Sequence, residues 1–240
     1  MTEPADHAEG LNRPQKIAAA VIGAALIWGL LPQFDLGVSA LFYRPATGFF
    51  LSHAPPLRWI YAGTRWFVGI LAALLIAAQL YTMLPTSRLQ PAWRGRFAFL
   101  ILALAIGPGL ITNTVLKDHF GRPRPEQTAD FGGHMHYVRP LIPSFQCKRN
   151  CAFPSGHAAA GFYLIAGAWI WPRRRRTWYI AGCTAGGLIG LVRIAQGGHY
   201  VSDVLGAFAV VWGCNEALFR TMRTRGWVSP CGDEADTRAA

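Results

Sequence analysis

Six apolar segments constrain the fold of this chain more than any other feature. They cover residues 17–31, 59–84, 97–116, 158–171, 178–194 and 201–219. Crossing the hydrocarbon core of a bilayer takes about 20 mostly apolar residues in a helix. Inside lipid, every backbone polar group must be satisfied within the protein. The expected architecture is therefore all-α, an integral membrane bundle of six transmembrane helices. Charged residues make up 15% of the chain, where a soluble domain carries about 25%, which agrees. The first and fourth segments are the shortest. One bundle domain over 17–219 is expected, with an N-terminal tail (1–16) and a C-terminal tail (220–240).

The net charge is +11. In a soluble protein that would suggest nucleic acid. Here the arginines lie between apolar segments without interleaved aromatics, so they set helix orientation and no nucleic-acid partner is expected. Arg88, Arg94 and Arg96 lie between segments two and three. The run 173–176 joins four and five, Arg220, Arg223 and Arg225 follow six, and Arg13 and Lys16 precede one. With six spans all four groups fall on one side, so both termini are expected in the cytoplasm. Cleavage of the first segment as a signal peptide is disfavoured. Val38-Ser39-Ala40 would be a poor cleavage site, placed beyond Pro32 and Asp35.

Three polar clusters interrupt the apolar pattern, and this topology brings all of them to the non-cytoplasmic face. They are Lys117 with Arg124-Pro125, Pro154-Ser155-Gly156-His157, and Arg193 with His199 and Asp203. Lys117, Arg122, Arg124 and Arg193 are cations on the side where cations are scarce, and an anionic ligand would explain them. Phosphoryl transfer depends on positioning and on neutralising charge on three oxygens. Lys117, Arg124 and Arg193 fit that need. Ser155 can cap the helix that follows it, and Gly156 lets backbone come close to a phosphate. His199 and Asp203 are four apart and share a helix face. The carboxylate can fix the imidazole tautomer and leave the other nitrogen as nucleophile. His157 is then available as general acid. Taken singly, each group has a structural explanation. Together on one face, they make a phosphate site.

Other residues carry less. Arg58 and Arg65 are seven apart at the outer end of the second segment, and either a headgroup contact or an interfacial role suits them. Cys147 and Cys151 suit a disulfide if their loop faces an oxidising compartment; a metal would need two further ligands. Glu216 is expected to pair with an arginine. Residues 35–43 could form an interfacial helix.

These motifs resemble the signature of the type 2 phosphatidic acid phosphatase (PAP2) superfamily, K-x6-RP, PSGH and SR-x5-H-x3-D. Here it stands as Lys117 to Arg124-Pro125, Pro154-Ser155-Gly156-His157, and Val192-Arg193 to His199 and Asp203. The one departure is Val192, where the family usually has serine. The resemblance implies a PAP2/haloperoxidase-like core and a metal-independent, cofactor-free membrane lipid phosphatase. It makes His199 the residue that becomes phosphohistidine, Asp203 its orienting partner, and His157 the acid. Lys117, Arg124, Ser155, Gly156 and Arg193 become phosphate ligands. It points to the bacterial inner membrane with the site facing the periplasm. Candidate substrates are lipid A, undecaprenyl diphosphate and phosphatidylglycerophosphate. The loop carrying Cys147 and Cys151 is similar to that of lipid A phosphatase-like members. Two rivals are a vanadate-dependent haloperoxidase-like oxidoreductase and a non-catalytic lipid transporter or binding protein.

Overall fold

The structure, a computed structural model, describes residues 15, 18–23 and 32–232. Helices account for 69% of it. Four are long and apolar enough to cross a membrane. They are α2 (Pro55–Met83), α3 (Ala92–Leu116), α5 (Arg175–Ala195, entered through a 3-10 turn at Pro172–Arg174) and α6 (Val201–Thr224). A shorter apolar helix, α4 (Gly156–Ile170), matches the fourth expected segment. The first expected segment, 17–31, lies largely outside the described residues, and its part at 18–23 is helical. A short helix, α1 (Pro32–Ala40), leads into a small antiparallel hairpin of β1 (Tyr43–Arg44) and β2 (Gly48–Phe49).

The short α4 is the axis of the bundle, and almost every residue of its 156–162 turn is buried. Its sequence explains this placement. Gly156, Ala158, Ala159, Ala160 and Gly161 give it a thin first half, so neighbouring backbones come close. On α5, Gly182, Gly186 and Gly190 recur every four residues and form one stripe. A Cβ on Gly161 would lie 2.6 Å from the Gly186 nitrogen, and one on Gly186 would lie 2.2 Å from the Phe162 ring. By contrast, α2 is the outermost helix. Trp59, Trp66, Ile70, Leu74 and Leu80 on it are exposed.

Helix α3 is not a regular α-helix throughout. Residues 105–116 form a wide π-helical stretch with Pro108 inside. Proline has no N–H to give and clashes with the preceding turn, and widening is one way a helix absorbs it. The side-chain amide of Asn113 donates to the Pro108 carbonyl at 2.7 Å. A last α-turn, Lys117–Phe120, ends on Gly121 in the left-handed conformation.

The long loop after Gly121 folds back on the helix ends. Ser144, Cys147 and Ala152 donate backbone N–H groups to Phe120, Gly121 and Arg122. Cys147 and Cys151 are joined as a disulfide. Phe131 packs with Phe49 and Tyr200, which ties this loop to the hairpin. At the opposite end of the bundle, Arg96 donates to the carbonyls of Ser229 and Pro230. There Glu216 accepts from Arg220 and from the Trp169 indole, the pairing expected of it.

Candidate active site

Lys117 sits where α3 ends, Ser155 to His157 where α4 begins, Arg193 in the last turn of α5, and Asp203 in the first turn of α6. These four helix ends meet at one end of the bundle. His199 lies in the tight α5–α6 connection and is 1% exposed.

His199 Nδ1 is 2.7 Å from the carbonyl oxygen of Ala152. An oxygen acceptor at that distance requires Nδ1 to carry the hydrogen, so Nε2 is left with its lone pair. The sequence predicts that Asp203 fixes this tautomer. The structure puts the Ala152 carbonyl closer and Asp203 Oδ2 at 3.5 Å. The reason is that Asp203 is already engaged: Oδ2 accepts the Tyr200 N–H at 2.7 Å, and Oδ1 meets the Arg122 guanidinium. Asp203 thus gives His199 a nearby negative charge, and Ala152 gives the hydrogen bond. Burial pushes the His199 imidazole well below the ordinary histidine range, and Arg193, Lys117 and Arg124 add to that effect.

Arg122 is fully buried and is not a free cation awaiting a ligand. Its guanidinium contacts Asp203, Asp35 at 2.7 Å, the Ser202 hydroxyl at 2.8 Å and the Tyr137 hydroxyl at 3.2 Å. Asp35 in turn accepts from the Ser202 backbone and hydroxyl and from Tyr137. Two carboxylates facing Arg122 outweigh its burial and raise its pKa still further. The sequence expectation assigned Arg122 to an anionic ligand, and here internal carboxylates satisfy it. The sequence reading assigns Asp35 no role at the site. Its helix α1, expected as an interfacial helix, turns Asp35 and Ser39 inward, where they are buried.

Arg124 donates to the Asn150 carbonyl through Nε (3.1 Å) and a terminal nitrogen (2.9 Å). Arg193 donates to the buried Gln196 side chain at 2.5 Å. Gly198 makes room for it, since a Cβ there would lie 2.1 Å from the Arg193 guanidinium. Ser155 caps α4, its hydroxyl accepting the Ala158 N–H at 3.5 Å, and its own N–H donates to the Asp203 carbonyl. Gly156 faces Asn113, whose carbonyl oxygen would be 2.2 Å from an added Cβ. The glycine thus leaves room for the Asn113 side chain between α3 and α4, besides any approach to phosphate. His157 stacks on Tyr61 of α2, with centroids 4.3 Å apart. Val192 is half-buried on α5, one residue before Arg193.

A groove of about 410 Å³ runs from this cluster between α2 and α3. Lys117, Gly156 and His157 line its inner end, and Leu104, Pro108 and Val68 line its apolar course. Arg65 lines it and Arg58, two turns earlier on α2, stands exposed outside it. Sequence reasoning missed Tyr61 and Asp35. Tyr61 lies on the helix face marked by Arg58 and Arg65, which was the available signal. Among the described residues, no group of three or more His, Cys, Asp or Glu side chains could hold a metal.

Comparison with known proteins places these residues in a wider set. The PAP2 superfamily pattern matches residues 98–227. Lipid A 4'-phosphatase of Francisella tularensis subsp. novicida is 33% identical over 182 residues, covering 73% of this chain and 80% of that protein. Lipid A 4'-phosphatase of Rhizobium etli is 40% identical over 103 residues, 42% of this chain and 40% of its own length. Lipid A 1-phosphatase of Rhizobium etli is 29% identical over 156 residues, 62% of each chain. No solved structure matches the chain.

Proposed function

The chain belongs to the PAP2 superfamily and is a phosphoric ester hydrolase, and from that premise we propose that it removes a phosphate from lipid A at the outer face of a bacterial inner membrane. The single observation that carries the proposal is a buried imidazole with Nε2 free, set among Arg193, Lys117 and Arg124 at the inner end of a groove of about 410 Å³. Lipid A is favoured over other lipid phosphates because relatives of that name align over most of the chain.

In the proposed reaction, His199 Nε2 attacks phosphorus while Lys117, Arg124 and Arg193 hold the three equatorial oxygens. Ser155 and Gly156 complete the phosphate pocket. The Ala152 carbonyl and Asp203 stabilise the positive charge that develops on the ring. His157 gives its proton to the departing alkoxide. It then takes a proton from water, which attacks the phosphohistidine and returns His199 to its starting state. Arg65, on the groove wall, meets a polar part of the headgroup, and Arg58 reaches the interface around it. The reaction calls for no metal or cofactor.

The proposed topology has six spans, with residues 17–31 as the first. Both termini and the arginine loops lie in the cytoplasm, and the chemistry and the Cys147–Cys151 disulfide face the periplasm. The test is phosphate release by purified protein in detergent with EDTA. Lipid A, undecaprenyl diphosphate, phosphatidylglycerophosphate and phosphatidic acid are compared by kcat/KM. Lipid A is expected to be turned over best, and His199→Ala to lose at least about 10³-fold in kcat. Undiminished turnover by His199→Ala would sink the mechanism. Preference for another lipid would sink only the substrate.

A further inference from the structure

We infer that Tyr61 is a positioning residue of this site, acting through His157. This rests on the assignment of His157 as the acid.

Tyr61 lies on α2, outside the segment that matches the family pattern. Its ring stacks on the His157 imidazole at 4.3 Å with 22° between the planes. The same ring carries the Arg193 guanidinium, with Cζ 4.7 Å from its centroid. Arg193 is in turn fixed by Gln196. Helices α2, α4 and α5 thus meet through one aromatic ring at the inner end of the groove that Tyr61 also lines.

His157 needs such a support. Its Nε2 is buried and, among the described residues, has no hydrogen-bond partner. The torsion that turns an imidazole is broad, so an unbonded ring samples many planes. A general acid must present its proton within hydrogen-bond reach of one oxygen. The Tyr61 stack fixes the plane of the ring, and Arg193 fixes Tyr61. The stack also suits the charge. An aromatic face attracts a cation, so the ring favours the imidazolium that must exist before the leaving group departs.

The inference separates by leaving group. A long-chain alkyl phosphate leaves as an alkoxide and needs the proton of His157. A nitrophenyl phosphate bearing the same alkyl chain leaves as a stable phenolate and does not. Tyr61→Leu is expected to lower kcat on the alkyl ester by about 10- to 100-fold, within the range set by general-acid catalysis. The aryl ester should change by less than about threefold. Tyr61→Phe keeps the ring and should stay within about threefold of wild type on both. Tyr61→Met, similar in bulk and without a ring, should repeat the split if the leucine variant does not fold. A double-mutant cycle adds a second readout: in a His157→Ala background, Tyr61→Leu should cost nothing further. Equal losses on both esters, or additive losses in the cycle, would overturn the inference. Should wild type release phosphate from neither ester, the proposed function fails and takes this inference with it. Should it act on both while Tyr61→Leu is unimpaired, only the role of Tyr61 fails.

Discussion

His199 is the residue at which burial and charge act most strongly together. Burial disfavours its imidazolium, and Arg193, Lys117 and Arg124 disfavour it further. In the proposed mechanism the neutral form is the nucleophile. A depressed pKa keeps that form populated as pH falls below 6.5, the usual histidine value. The sign is therefore that the acid limb of kcat/KM belonging to His199 lies below pH 6.5. The substrate's own phosphate ionises near pH ~6 and contributes a limb of its own. The two are separated by Arg124→Gln, which removes one opposing cation. That change should move the His199 limb to higher pH and leave the substrate limb in place. A limb at 6.5 that Arg124→Gln does not move would contradict the assigned environment. Composition and spacing made the convergence of the three polar clusters legible, since each holds its cation, histidine or carboxylate within a few residues. The orienting set was not legible. Asp35, Arg122 and Asp203 sit on three distant segments, and only folding shows that Arg122 has two carboxylates around it. The Ala152 carbonyl is a backbone atom with no side-chain signal.

Among the elements, α4 and α5 pack so closely that a methyl on either glycine face would meet the neighbouring helix. The glycine stripe on α5 lets Phe162 and Ile165 of α4 rest on its backbone. An added methyl at Gly186 would sit 2.2 Å from the Phe162 ring, whereas Gly187, one position on, has nothing within 4 Å. Gly186→Ala is expected to destabilise by about 1–3 kcal/mol through overpacking. Gly187→Ala should be neutral or slightly stabilising, since alanine is the better helix former. Thermal unfolding in detergent measures both, and equal melting temperatures would contradict the packing. Both changes lie more than two turns from His199 along the chain, so they separate assembly from chemistry. Element positions were largely legible, because apolar length alone locates a spanning helix. The observed helices α2, α3, α5 and α6 overlap the expected segments and extend beyond most of their ends. The π-helical stretch of α3 was not legible. An apolar run containing Pro108 suits a kink, a break or a widened turn equally, and the choice depends on what packs against it.

At the scale of the whole molecule, the arginine-rich connections and the candidate site occupy opposite ends. Lys117, His157, Arg193 and Asp203 meet where α3 and α5 end and α4 and α6 begin. The other end holds Arg96 bonded to Ser229 and Pro230, and Cys231 bonded through its N–H to Ile170. The arginines at 173–176 stand at that same end, just past α4. Positive loops are retained in the cytoplasm, so the polarity of the bundle predicts which side each end faces. Phe145, 98% exposed in the long loop, marks the site end, and Cys231 marks the other. In a chain with Cys183 and Cys214 replaced by serine and Phe145→Cys introduced, a membrane-impermeant maleimide should label position 145 in right-side-out vesicles. Cys231 should react only after the membrane is opened. The disulfide keeps Cys147 and Cys151 out of the readout, provided no reductant is added. Labelling of Cys231 before position 145 would invert the bundle and put the proposed phosphate site in the cytoplasm, where the proposed substrate face could not be right.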